Sequence, residues 1–168
     1  MSNSAPAPVS PAPVSPDVSG DEIRDIIAAH AHLEGPLLPI LHAMQEAFGH
    51  VPAAAAGPIT AALNISKAEL HGVISFYHDF REAPAGRHVL KICRAEACQA
   101  MGGADLAARV LERLGLDWHG TSADGAITVE PVYCLGLCAC APAAMVDGQL
   151  RGRLDAARMD AVLAEVGA

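Results

Sequence analysis

The chain has 168 residues, of which 52% are hydrophobic and only 4% aromatic, so alanine, leucine and valine have to build most of any core. Its net charge of −8 argues against nucleic acid or an anionic membrane surface as a partner. No run of residues reaches the roughly 18 apolar residues of a membrane-spanning helix, and the proline-rich start lacks the basic residues of a secretory signal. We therefore expect a cytoplasmic protein with reduced thiols and no membrane insertion.

The first half of the sequence is predicted to be helical after a disordered start. Residues 1–19 hold five of the twelve prolines and are predicted to be a disordered Pro/Ala-rich tail. Residues 20–85 are predicted to form an N-terminal helical domain. Four helices are expected there. The first begins at a Ser19–Glu22 capping box, the second runs from Pro36 to Phe48, and the third covers Ala53 to Leu63 despite Gly57-Pro58. The fourth begins at a Ser66–Glu69 capping box and carries Leu70, Val73, Ile74 and Tyr77.

The second half, residues 86–168, alternates between strand and helix patterns. We predict a buried strand from His88 to Cys93, then a helix from Gly102 to Leu114. A half-buried strand from Ile127 to Tyr133 follows, with Pro131 marking an edge or a bulge. The last expected elements are a hairpin turning at Asp147-Gly148 and a helix capped by Asp155. This order is compatible with a thioredoxin-like layout and an α/β (α+β) fold class.

Four of the five cysteines form two pairs, each just after a predicted strand. Cys93 and Cys98 are separated by four residues, and Cys134 and Cys138 by three. Thiolates grouped in this way select zinc or an iron–sulfur cluster. The odd number of cysteines excludes a complete set of internal disulfides. Since each loop can supply the two thiolates that one iron of a [2Fe–2S] cluster needs, the spacing favours that cluster.

Structural zinc remains the alternative. Zinc sites usually have a two-residue gap in at least one pair of cysteines, which neither pair has here. A thioredoxin-type redox pair needs the same gap, and a Rieske centre replaces two cysteines by histidines. Cys140 is interpreted as a small buried residue, or as a substitute ligand should Cys138 be lost.

The remaining polar residues give weaker signals. The group His71, Tyr77, His78 and Asp79 is interpreted as a helix end packed on a neighbour, in preference to a catalytic cluster. Three arginines are interpreted as solvated, although they could meet an acidic partner: Arg81, Arg87 and Arg94. The sequence has no phosphate-binding glycine loop, nucleophilic serine motif or paired carboxylates, so we expect no substrate site on this chain.

Three segments resemble the thioredoxin-like [2Fe–2S] ferredoxin family, which includes the 24-kDa subunit of respiratory NADH dehydrogenase. They are Phe76-Tyr77-His78-Asp79-Phe80, Pro84-Ala85-Gly86-Arg87-His88 together with Cys93 to Cys98, and Cys134 to Pro142. The resemblance covers about residues 20–166. Within the family, the run from Lys91 to Cys98 and the additional Cys140 look most like the gamma subunits of NAD-dependent, molybdenum-containing formate dehydrogenases.

The resemblance implies an electron-transfer subunit of an oxidoreductase complex. Four cysteines match the family's cluster-ligand positions: Cys93, Cys98, Cys134 and Cys138. The implied partners are a beta subunit that holds FMN, NAD and [4Fe–4S] clusters, and an alpha subunit that oxidises formate at a molybdenum cofactor. An NADH:quinone oxidoreductase or an NAD-linked hydrogenase is the alternative complex, and a zinc-stapled interaction module is the alternative without redox chemistry.

Overall fold

The computed structural model describes residues 18–167, which divide into two compact units that meet in sequence between Ala85 and Gly86. The first unit is helical and the second mixes helices with a sheet, so the predicted fold class is confirmed. Nearly all of the predicted tail over residues 1–19 lies outside the described residues. Its last residue, Ser19, caps the first described helix.

The described part of the first unit is built from helices and one short 3₁₀ turn. Their bounds are α1 Gly20–His30, α2 Leu37–Phe48, the 3₁₀ turn Ala53–Ala55, α3 Ala56–Leu63 and α4 Lys67–Phe76. Side chains from all four helices, from the connection between α2 and α3, and from Phe80 form its core: Ile23, Ile27, Ile40, Leu41, Met44, Phe48, Val51, Ala55, Ile59, Leu70 and Phe80. The Gly57-Pro58 pair does not break α3 because it lies in the first turn, where backbone N–H groups have no partner within the helix.

Capping explains where these helices begin and end. Both hydrogen bonds of the Ser66–Glu69 capping box are present. Glu69 N donates to Ser66 Oγ at 3.1 Å, and Ser66 N donates to Glu69 Oε2 at 2.7 Å. At α1 the capping-box prediction is wrong in detail, because Ser19 Oγ accepts from Asp21 N, one residue earlier than Glu22. Tyr77, which was predicted to lie on the last of these helices, is the residue that follows it. Tyr77 ends α4 in an extended conformation and is 43% exposed.

The second unit contains a four-stranded sheet with the strand order β2-β1-β3-β4. Its elements are β1 His88–Cys93, α5 Glu96–Ala100, α6 Gly103–Leu114, β2 Ile127–Val132, a 3₁₀ turn Cys138–Cys140, β3 Ala144–Val146, β4 Gln149–Arg151 and α7 Ala156–Glu165. β1 pairs with β2 in parallel and with β3 antiparallel. The order of strand, helix, strand, hairpin and helix therefore agrees with the predicted layout.

The core of the second unit joins alternate strand residues to α6 and α7. It contains Leu90, Ile92, Leu106, Ala107, Val110, Ile127, Val129, Ala144, Val146, Leu154, Met159, Val162, Leu163 and Val166. The hairpin turns at Asp147 and Gly148, both at positive φ (48° and 81°), as the Asp-Gly pair predicts. Asp155 Oδ1 accepts from Arg158 N at 2.8 Å and so caps α7 as predicted.

Two features of the second unit differ from the sequence predictions. Residues 93–98 were expected to be a loop, but Cys98 lies within the short helix α5. β2 lies at the sheet edge, as Pro131 indicates, but it is not half-buried, because its first four residues are all buried. The two polar residues among them are satisfied: Thr128 Oγ1 accepts from Gly86 N at 2.7 Å, and Glu130 Oε2 lies 3.6 Å from Lys91 Nζ. None of the helices within residues 18–167 is both long enough and apolar enough to span a membrane.

Candidate metal centre

The first cysteine pair lies at the end of β1 and in α5. Cys93 is the last residue of β1, and its backbone N–H donates to the carbonyl of Ala143 at 3.0 Å. Cys98 lies one turn further along, and both thiols are buried, with 3% and 2% exposure. α6 begins directly against this pair. A Cβ at Gly103 would lie 2.5 Å from the Cys98 carbonyl oxygen, so only glycine fits without movement.

The second pair follows β2 and is exposed to solvent. Cys134 has a φ of +113°, a backbone conformation that residues other than glycine rarely adopt. Gly136, at φ +74°, lets the chain turn so that its own N–H donates to Cys134 Sγ at 3.4 Å. Cys138 then begins the 3₁₀ turn. Backbone strain of the kind seen at Cys134 is concentrated at functional sites.

The loop that carries the second pair also reaches the sulfur of Cys93. Burial raises the pKa of the Cys93 thiol, but hydrogen bonds to its sulfur outweigh burial and hold the pKa below its ordinary value. The donors are the backbone amide of Ala95, the thiol of Cys98, and the backbone amides of Leu135 and Cys134. The two loops are therefore joined at this sulfur, and the N–H groups are placed to stabilise a thiolate there.

The other two thiols show that all four sulfurs lie close together. The pKa of Cys98 is raised by burial, by its hydrogen bond to Cys93, and by the charges of Cys93 and Cys138, against a backbone hydrogen bond from Ala143. The pKa of Cys138 is raised by its hydrogen bond to Cys134 and by that residue's charge, then by burial and by Cys93. Since each negative charge opposes ionisation of its neighbours, a bound cation is what would let all four thiols lose their protons together.

The sulfurs form two hydrogen-bonded pairs. Cys98 is bonded to Cys93, and Cys138 to Cys134, while weaker electrostatic effects connect one pair with the other. Within residues 18–167, no group of three or more His, Cys, Asp or Glu side chains is arranged so that it could hold one metal ion. The two hydrogen-bonded pairs of sulfurs fit a centre of two irons with two sulfur ligands each.

Cys140 contacts different neighbours. Its Cβ and carbonyl oxygen lie against Gly152, where an added Cβ would be 2.9 Å and 3.0 Å from them. Its carbonyl accepts from the backbone N–H of Arg153. Cys140 is therefore packed against a neighbouring segment, but it is only partly buried and not the fully buried residue that was predicted.

Residues outside the cysteine set also surround the sulfurs, and the amino-acid sequence does not reveal them. No sequence signal identifies the amides of Ala95 and Leu135 as donors to Cys93, since any residue carries an N–H. Arg94 was expected to be solvated, but it is half-buried, with its guanidinium carbon 5.1 Å from the ring centre of Trp118. The only tryptophan of the chain was a possible signal for this contact.

Of the group His71, Tyr77, His78 and Asp79, His71 lies within α4 and the other three follow its end. The segment after α4 is hydrogen-bonded to α2. Gln45 Nε2 donates to the Asp79 carbonyl at 2.6 Å, and Gln45 Oε1 accepts from Arg81 N at 2.7 Å. His42 and Phe80 lie with ring centres 5.0 Å apart beneath it. These contacts support the interpretation of a helix end packed on its neighbour.

Comparisons with known proteins identify relatives over most of the length of the chain. The family model described as thioredoxin-like [2Fe-2S] ferredoxin matches residues 23–167. An NADH-quinone oxidoreductase subunit of Rhizobium meliloti is 32% identical over 143 residues, 85% of each chain. The NADP-reducing hydrogenase subunit HndA of Solidesulfovibrio fructosivorans is 28% identical over 144 residues, 86% of this chain and 84% of that one.

A solved structure shares the fold as well. In the air-oxidised NAD⁺-reducing [NiFe]-hydrogenase, a chain that is 28% identical superposes with a TM-score of 0.62 over 76% of this protein. The match spans only 22% of that hydrogenase chain. The family match, by contrast, extends over nearly all described residues and includes both cysteine pairs. The protein belongs to the thioredoxin-like [2Fe–2S] ferredoxin family.

Proposed function

We propose that this chain is a one-electron carrier in which four cysteines hold a [2Fe–2S] cluster: Cys93, Cys98, Cys134 and Cys138. The single observation that carries the proposal is that the two cysteine loops leave the neighbouring parallel strands β1 and β2 at the same edge of the sheet, where Cys93 is paired with Val132 and the Arg94 N–H donates to the Val132 carbonyl at 2.8 Å. The site contributes four thiolates in two pairs, the donor set that such a cluster needs.

The protein's part is to bind, to exclude water and to supply hydrogen bonds. Cys93, Cys98 and Ala143 are buried together, and apolar side chains pack around them: Ala95, Val132, Leu135, Leu137 and Ala141. Once bound, a [2Fe–2S] cluster takes up and releases single electrons at a potential that its surroundings set. Amides that donate hydrogen bonds to the sulfurs stabilise the reduced cluster, which carries the greater negative charge, whereas burial of that charge destabilises it.

The two pairs differ in their access to solvent, so the site can be approached from one side only. Cys134 and Cys138 are exposed, whereas Cys93 and Cys98 are buried. An electron donor or acceptor can therefore come close on the side of the second pair. We place the flavin-bearing partner there, because FMN on a neighbouring subunit is what the family resemblance implies.

For the complex, we propose a cytoplasmic NAD-dependent formate dehydrogenase, with this chain as its gamma-type iron–sulfur subunit. The resemblance of the run from Lys91 to Cys98 and of Cys140 supports this choice. A beta subunit would hold FMN, NAD and [4Fe–4S] clusters. An alpha subunit would hold the molybdenum cofactor at which formate is oxidised.

A second candidate is the equivalent subunit of an NADH:quinone oxidoreductase or an NAD-linked hydrogenase. The relatives favour it, since the one with 32% identity is named as an NADH-quinone oxidoreductase subunit and the one with 28% identity as an NADP-reducing hydrogenase subunit. A zinc-stapled module is the third candidate, and the metal content of the purified protein distinguishes it from the other two.

The experiment that tests the complex is affinity purification of the tagged full-length chain from its own cells under anaerobic conditions. Formate-dependent reduction of NAD, together with molybdenum and an identified molybdenum-enzyme subunit in the eluate, is the expected result. Hydrogen-dependent reduction of NAD with nickel, or quinone reduction by NADH, would replace the formate assignment. The Cys140→Ser variant is the control and should keep its iron, whereas Cys93→Ser and Cys134→Ser should lose the cluster or change its spectrum.

A further inference from the structure

One ion pair of the second unit is nearly enclosed by protein. Lys91 on β1 and Glu130 on β2 lie directly opposite each other in the parallel pairing of the two strands. The Nζ atom of Lys91 is 3.6 Å from Oε2 of Glu130, and the two side chains are only 18% and 6% exposed. Burying two charges costs free energy that their attraction often fails to recover, so an enclosed ion pair is weak evidence for a stabilising role. The position of this pair in the sheet indicates a different role.

The ion pair lies on the same face of the sheet as Cys93. Successive side chains of a strand point to opposite faces, so Lys91 shares with Cys93 a face on which Ile92 does not lie. The packing agrees with this alternation, because Ile92 belongs to the core with α6 and α7, whereas Cys93 packs with Val132. Val132 is paired with Cys93 as Glu130 is paired with Lys91. The ion pair therefore lies beside the first cysteine of the site, two residues earlier along the same two strands.

Lys91 is closer than Glu130 to the proposed cluster. Two residues along a strand separate the Cα atoms of Lys91 and Cys93 by about 6.6 Å, whereas Glu130 lies diagonally across the strand spacing, at about 8 Å. A [2Fe–2S] cluster becomes more negative on reduction, so a nearby cation stabilises the reduced state and a nearby anion destabilises it. Solvent and salt screen enclosed charges only weakly, so both effects persist over this distance. The net effect of the pair is that of its nearer, positive member.

We propose that Lys91 and Glu130 set the reduction potential of the iron–sulfur site, with Lys91 raising the potential and Glu130 limiting that rise. Neither residue is a ligand, and both act on the site through their charges. Glu130 also holds the ammonium group of Lys91 inside the protein, which keeps the positive charge on the face of the sheet that carries Cys93. The inference rests on the proposed [2Fe–2S] function.

The test is a redox titration of the full-length protein, followed by electron paramagnetic resonance, in Lys91→Met, Glu130→Gln and the double variant with both changes. A unit charge about 10 Å away, at an effective dielectric constant of about 20, changes the ratio of reduced to oxidised cluster by about tenfold. For a one-electron couple, this factor corresponds to about 59 mV. We expect Lys91→Met to lower the potential by this amount and Glu130→Gln to raise it by less. The double variant should lie between the two single variants.

Arg113→Met and Asp160→Asn are the matched controls, because they make corresponding changes in a more exposed ion pair of 2.7 Å between α6 and α7. Arg113 lies about 15 Å further along α6 than Gly103, which contacts Cys98, so neither control should change the potential. Iron content should be the same in all variants.

The signs of the two shifts separate an effect of charge from one of packing. If the pair were only structural, both single variants would disturb the site in the same way, and their potentials would move in the same direction. That result, or the wild-type potential in an iron-loaded Lys91→Met protein, would overturn the proposal and leave the cluster assignment intact. Wild-type protein without iron would reject the proposed function and this inference with it.

Discussion

Replacing Gly103 by alanine tests whether Cys98 is placed as described. Gly103 is the first residue of α6, and a Cβ added there would lie 2.5 Å from the Cys98 carbonyl oxygen and 3.0 Å from its carbonyl carbon. Ordinary contacts of this kind begin near 3.4 Å. Since the obstructing atoms belong to the backbone, α5 and the start of α6 must move apart by close to an ångström, and Cys98 moves with them.

The expected cost is that of overpacking a close contact, about 1–3 kcal/mol of unfolding free energy. Iron content should fall as well, because a thiolate that is displaced by this much no longer meets the other three. The measurement is urea unfolding followed by circular dichroism, together with iron per chain after anaerobic purification.

Gly72→Ala is the matched control. Gly72 lies within α4, has an ordinary φ, and a Cβ added there would meet no atom within 4 Å. Alanine should therefore stabilise the protein by about 0.5–1 kcal/mol and leave the iron content unchanged. If Gly103→Ala binds full iron and unfolds at the wild-type urea concentration, the packing of α6 on Cys98 is incorrect.

Three further substitutions have defined outcomes. Gly136→Ala forces alanine to φ +74°, so we expect a cost of about 1–2 kcal/mol and faster bleaching of the visible absorbance; an unchanged rate would contradict the turn. Ser66→Ala removes the cap of α4 and should lower the unfolding free energy by about 1 kcal/mol in urea. Asp160→Asn loses ion pairs to Arg109 and Arg113, at 2.8 Å and 2.7 Å, and should cost about 0.5 kcal/mol at low salt and less at high salt; a salt-independent cost would argue against the pairs.

Much of the fold could be predicted because its signals are local. The capping box at Ser66 and Glu69 is read from four consecutive residues and is present in the structure. The Asp147-Gly148 turn is a dipeptide signal, and it fixes the hairpin without reference to the rest of the chain. The cysteine spacing likewise indicated that two strand ends would each supply a pair of thiols, and the structure brings those pairs together.

What could not be predicted depends on residues far apart in the chain or on very short elements. α5 has five residues, too few to show a helical period. The alternating pattern of β2 predicts that Thr128 and Glu130 face solvent, because their partners lie about 40 residues away in the sequence. Thr128 accepts a hydrogen bond from Gly86 N, and Glu130 forms an ion pair with Lys91. The amides that reach the Cys93 sulfur come from two loops, and an N–H leaves no trace in residue identity.

The central claim is that four thiolates of this chain hold a two-iron cluster, and metal and sulfide analysis of the anaerobically purified protein tests it most directly. The account predicts about two iron atoms and about two acid-labile sulfides per chain, with a paramagnetic signal that appears on reduction by one electron. A colourless protein with one zinc atom and neither iron nor sulfide would contradict it.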